Sequence, residues 1–139
     1  MQGNLALEII IGFLSLWWLL VGVMTLCIKE DLVDRVVEAQ KTTTRLFVVT
    51  NLVYILTMTL YIGCTVFYYN FRWLFVIMGL ILILCMLIDI YLSYKRKTAE
   101  SYVNLEHKTV HIYWGKINAL ITCTVSVITL VSLIISLIN

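Results

Sequence analysis

Four charged side chains stand inside long apolar runs: Glu8, Arg72, Asp89 and Lys116. Ionisable residues at membrane depth are costly, and they mark ion paths, proton relays or buried pairs. Glu8 lies at the start of the first run. Asp89 lies six residues before Lys95, about 9 Å from the other surface at 1.5 Å per residue. The two carboxylates are therefore near opposite surfaces and cannot form one acid pair. No intermediates for a continuous proton wire between them stand out. Glu8 is expected to pair with Arg72 at the outer boundary, and Asp89 with Lys116, which enters from the inner side. A proton or cation site at Asp89 is the competing use. Pairing predicts that Asp89→Ala and Lys116→Ala each harm assembly more than the double substitution does.

Other chemistry is thin. His107 and His111 have the i, i+4 spacing of a helical metal site, but two ligands without a third make a poor one. Cys27, Cys64, Cys85 and Cys123 fall one per apolar run with no C-x-x-C, so they read as small apolar fillers. No nucleophile–base constellation, phosphate loop or N-x-S/T site is present. The reading is a non-enzymatic chain with no cofactor and no metal.

These residues sit on membrane-spanning helices. The chain has 139 residues, of which 62% are hydrophobic and only 13% charged. A soluble domain carries about 25% charged residues, so this chain cannot coat itself for water. A net charge of +2 is too small for a nucleic-acid binder. Apolar runs at 5–28, 46–69, 71–94 and 112–138 each reach the roughly 20 residues that cross a bilayer core. The first does not read as a cleaved leader, because no basic residue precedes it and no small-x-small site follows. The expected fold is all-α: one domain, 1–139, with four transmembrane helices arranged as two hairpins. Thr42 and Asn51 recur as Thr109 and Asn118 at one constant offset, an architectural repeat with little else in common. The absence of Pro favours straight helices, which counts mildly against alternating access.

Charge sets the expected orientation. Lys29, Arg35, Lys41 and Arg45 fall in the first connection, 29–45, and Lys95, Arg96, Lys97 and Lys108 in the third, 95–111. Both connections are expected to be cytoplasmic and both termini extracytoplasmic, in a bacterial inner or plasma membrane. Little then remains outside to hold a large extracellular ligand. Lys95, Arg96 and Lys97 are expected to contact anionic lipid at the inner leaflet. The first connection balances four acids against four bases, so a partner protein suits it as well as lipid. Tyr68, Tyr69, Phe71 and Trp73 mark the outer boundary, and Tyr91, Tyr94, Tyr113 and Trp114 the inner one. Trp17 and Trp18 fall mid-span, where packing with an indole N–H bonded to Thr or Ser is expected.

Each run has one candidate inner face. The fourth carries Asn118, Thr122, Ser126, Thr129, Ser132 and Ser136 at spacings that average one helical turn. The second carries Tyr54, Tyr61 and Tyr68 at heptad spacing, interleaved with Asn51, Met58 and Thr65. The first offers Glu8, Gly12, Ser15 and Gly22, and the third Gly79, Met86 and Asp89. Small and hydroxyl residues mark helix contacts in lipid. The polar stripes exceed what one small bundle needs. The leading expectation is thus an accessory or assembly subunit, packed laterally against a larger membrane complex or against copies of itself. The alternative is a small transporter, channel or holin-like pore, with a polar path along the fourth helix and Asp89 near the cytoplasmic mouth.

Overall fold

The computed structural model describes residues 4–27, 35, 38, 39, 42–98 and 108–138, with side chains at 5–27, 35, 38, 39, 42–95 and 111–138. Among the described residues the chain forms four long helices: α1 (Asn4–Cys27), α2 (Thr44–Tyr68), α3 (Trp73–Thr98) and α4 (Lys108–Ile138). Each is long and apolar enough to cross a membrane, and the chain is an all-α, multi-pass membrane protein. The helices overrun the expected spans where they meet the connections. Helix α3 continues four residues past Tyr94, and α4 starts four before Ile112. No Gly or Pro stops either end, and Lys and Arg are good helix formers outside the apolar core.

The four helices pack as an antiparallel ring. Contacts run from α1 to α2, α2 to α3, α3 to α4 and α4 back to α1. The widest seam joins the first and last helices, and the thinnest lies within the second hairpin, between α3 and α4. Glycine sets the width of two seams. A Cβ on Gly22 would overlap Cys123 Sγ and lie 3.1 Å from the Ala119 carbonyl oxygen, so α1 approaches α4 to backbone contact. A Cβ on Gly79 would lie 2.9 Å from Ile62 Cγ2 on α2. Close approach lets dispersion and interhelical bonds substitute for the hydrophobic drive that lipid does not supply.

The turn between α2 and α3 is tight. Tyr68 ends α2, and Asn70 and Phe71 both take left-handed backbone angles, with φ of 53° and 58°. Asn tolerates that region, whereas Phe costs roughly 1–2 kcal/mol there. Two bonds offset the cost: Phe71 N–H donates to Val66 O at 2.9 Å and Asn70 N–H to Phe67 O at 3.1 Å. This is the Schellman pattern, and it satisfies carbonyls that the helix end would otherwise leave open.

The expected inner faces point inward. Ser15, Gly22, Met58, Tyr61, Thr65, Gly79 and Met86 are buried, and the opposite faces expose Leu5, Phe13, Leu56, Leu80 and Leu84. On α4, Asn118, Thr122, Ser126 and Thr129 are buried, Ser132 is half-buried and Ser136 exposed. Most of the polar stripe is thus used inside the bundle. The four cysteines are free thiols, with Cys85 buried and Cys27 exposed.

Candidate functional site

The heptad tyrosines of α2 organise the interior into three polar tiers, each about 10 Å from the next. At one end, Tyr68 OH donates to Glu8 Oε1 on α1 at 3.0 Å and lies 3.1 Å from Ser136 Oγ on α4. In the middle, Ser15 Oγ donates to the buried Tyr61 OH at 3.1 Å. At the other end, Tyr54 OH donates to Asp89 Oδ2 on α3 at 2.9 Å. The seven-residue repeat keeps all three hydroxyls on one face, and each finds a partner on a neighbouring helix.

Asp89 is the centre of the third tier. Besides Tyr54, its carboxylate accepts from Trp114 Nε1 at 2.5 Å and from Asn118 Nδ2, both on α4. Asn118 in turn accepts from Thr122 Oγ1 at 3.4 Å. Only donors are aimed at the two carboxylate oxygens by these three residues, which suits an acceptor-only group.

The ion pairs expected from sequence do not form among the described residues. Glu8 is bonded to Tyr68, and Arg72 is exposed at the turn. Lys116 is exposed, while Asp89 turns inward to neutral donors. The reason is angular. Lys116 stands two residues from both Trp114 and Asn118, and residues two apart do not share a helix face. The face of α4 that meets Asp89 is therefore not the face that carries Lys116.

A cavity of about 280 Å³ opens beside Asp89. All four helices line it, with Trp18 and Thr25 from α1, Asn51 and Tyr54 from α2, Ser93 from α3, and His111, Asn118 and Thr122 from α4 among its walls. It lies toward the C-terminal ends of α1 and α3 and the N-terminal ends of α2 and α4. Asn51 and Asn118, the positions related by the repeat, face the same space. One turn deeper, Leu14, Met58, Leu82 and Val125 form apolar core. Beyond them lies a void of about 10 Å³ lined by Tyr61, Thr65 and Thr129, roughly the space of one water. The sequence reading finds no intermediates between Glu8 and Asp89, yet the fold places the Ser15–Tyr61 pair and Ser126 between them.

Two site residues escape the sequence reading. Trp114 was expected as an interfacial aromatic with Tyr91, Tyr94 and Tyr113; those three are exposed, whereas Trp114 turns in to Asp89. Its spacing of four from Asn118, at the head of the stripe, was the available signal. Trp18 was expected to bond a Thr or Ser. Instead its Nε1 is buried with no hydrogen-bond partner among the described residues, and its ring meets Tyr54 edge-on at 5.5 Å. Trp17 is exposed toward lipid.

Lys95 is exposed and lies over the Tyr91 ring at 5.2 Å. The side chains of Arg96 and Lys97 fall outside the described residues, as does His107. His111 is buried in the cavity wall, and no group of three His, Cys, Asp or Glu that could hold a metal occurs among the described residues. Comparison with protein-family models, characterised proteins and solved structures finds no match to this chain.

Proposed function

We propose that the chain is a small membrane transporter or channel whose solute occupies the Asp89 cavity and whose path continues along the polar face of α4. The observation that carries this reading is the cavity itself: a carboxylate at membrane depth, in a space to which all four helices contribute polar walls. Intramembrane carboxylates of this kind serve ion and solute pathways by default. The polar stripe that favours an accessory subunit in the sequence is mostly consumed inside the bundle, which moves weight toward the path reading. By the Lys/Arg rule the cavity faces the cytoplasm and both termini face out. The apolar layer at Leu14, Met58, Leu82 and Val125 then closes the path on its far side. The chain does no covalent chemistry on this reading.

The accessory reading keeps one specific support. Thr59 and Gly63 lie four apart on the exposed face of α2, and the space beside Gly63 is open. Small residues so placed suit lateral helix contact, with a second copy or another membrane protein.

Flux through liposomes separates the two. Reconstituted protein is expected to dissipate a proton or monovalent-cation gradient about tenfold faster than empty liposomes, with Asp89→Asn removing the gain. Lys116→Gln is expected to leave it within about twofold, since Lys116 is exposed. Flux at the empty-liposome rate for protons, sodium, potassium and ammonium compounds contradicts the transport reading. Purification from native membranes with a stoichiometric membrane partner would then favour the accessory one.

A further inference from the structure

We propose that the cavity binds a small organic ammonium ion, its charge against the Asp89 carboxylate and its alkyl groups against the rings of Trp18, Tyr54 and Trp114. This rests on the reading of the cavity as a solute site and narrows the solute to one chemical class.

Size comes first. A volume of about 280 Å³ is many times the space of one water. That is far more than a bare metal ion fills, and it lies at the small end of ligand pockets. Ligation points the same way. A hard metal cation wants six or more oxygen ligands. Three of the groups on Asp89 are an indole N–H, an amide N–H and a phenol O–H, each already donating to it. These hold a carboxylate in place but would turn hydrogens toward a metal.

The aromatic walls supply what an alkylammonium needs. Trp18, Tyr54 and Trp114 come from three different helices and line one space with the carboxylate. Trp18 and Tyr54 meet at 69°, so their rings form a corner and not a flat stack. Cations are drawn to aromatic faces, most strongly to Trp, and more so where water is displaced. Trp18 also carries an unexplained cost. Its N–H is buried without a partner among the described residues, a penalty that Leu or Phe would avoid at that position. A cation on the indole face leaves that N–H unpaired but draws on the ring quadrupole, which Leu lacks and Phe offers more weakly.

The test uses the full chain in lipid nanodiscs, with radiolabelled choline as the probe and 3,3-dimethylbutan-1-ol as its neutral isostere. Choline is expected to bind saturably, and the alcohol to displace it at least about thirtyfold less well than unlabelled choline. Trp18→Leu, which breaks no hydrogen bond, is expected to weaken binding about three- to thirtyfold with folding checked by thermal unfolding. Lys116→Gln, exposed and outside the cavity wall, is the control and is expected to change binding less than about threefold. Asp89→Asn is expected to abolish it. No saturable choline binding, equal displacement by the alcohol, or unchanged affinity in Trp18→Leu each overturns the proposal. Proton flux measured with the same purified protein reconstituted into liposomes separates the two levels. Asp89-dependent flux without choline binding defeats the ammonium assignment alone, and absence of both defeats the transport reading with it.

Discussion

Asp89→Ala is expected to destabilise the bundle by about 2–4 kcal/mol, read as loss of thermal stability in detergent. Three donors converge on the carboxylate: Tyr54 OH, Trp114 Nε1 and Asn118 Nδ2. Hydrogen bonds between membrane helices contribute about 0.6 kcal/mol on average and up to about 1.7 each. The substitution breaks three of them and orphans their donors. The opposing term is relief from holding a charge at membrane depth, up to about 2.5–3.5 kcal/mol at a helix centre. Asp89 lies off the centre of its span and beside a polar cavity, so that relief is the smaller effect. Lys116→Ala is expected to change stability by under about 0.5 kcal/mol, because Lys116 is exposed. The double substitution is then additive, the opposite of what an Asp89–Lys116 pair requires. A rescue of Asp89→Ala by Lys116→Ala would restore the pair and contradict the geometry described here.

Gly22→Val is expected to cost about 1–3 kcal/mol or more, by forcing α1 off α4 at the cavity. The obstacle has two parts. A Cβ at position 22 would overlap Cys123 Sγ, which can rotate, and would sit 3.1 Å from Ala119 O, which is backbone and cannot. Gly22→Ala therefore costs less, and Cys123→Ala is expected to recover part of that smaller loss. Gly22→Val is not recovered, since its extra methyls meet the α4 backbone. Gly63→Ala is the control, with nothing within 4 Å of the added carbon. Equal stability of Gly22→Val and Gly63→Ala would mean that α1 and α4 are not in backbone contact.

Most of the fold is legible in the sequence because lipid imposes simple rules. Length and apolarity announce the spans, and the periods of polar residues announce the inner faces. Tyr54, Tyr61 and Tyr68 point inward as their spacing requires, and so do Asn118, Thr122, Ser126 and Thr129. Partners are harder to read, because they depend on which faces meet at which depth. Glu8 and Asp89 invite the nearest opposite charges, yet Arg72 is exposed in the turn and Lys116 stands on another face, and neutral donors take their place. Trp114 shows the same limit. Composition assigns it to the interfacial belt, and only its register with Asn118 places it against Asp89. The cavity was not legible at all, since no single helix contains it.

On the transport reading, water and cations reach Asp89 through that cavity. Ser93 lies one turn from Asp89 and lines the same space. In a background with the four native cysteines replaced, the thiol of Ser93→Cys can be titrated with small methanethiosulfonates in nanodiscs. Modification is expected, with a cationic reagent reacting at least about tenfold faster than an anionic one of equal size. Asp89→Asn is expected to remove the preference. A thiol at Ser93 as inert as one at lipid-facing Leu84, or equal rates for both reagents, would contradict that reading.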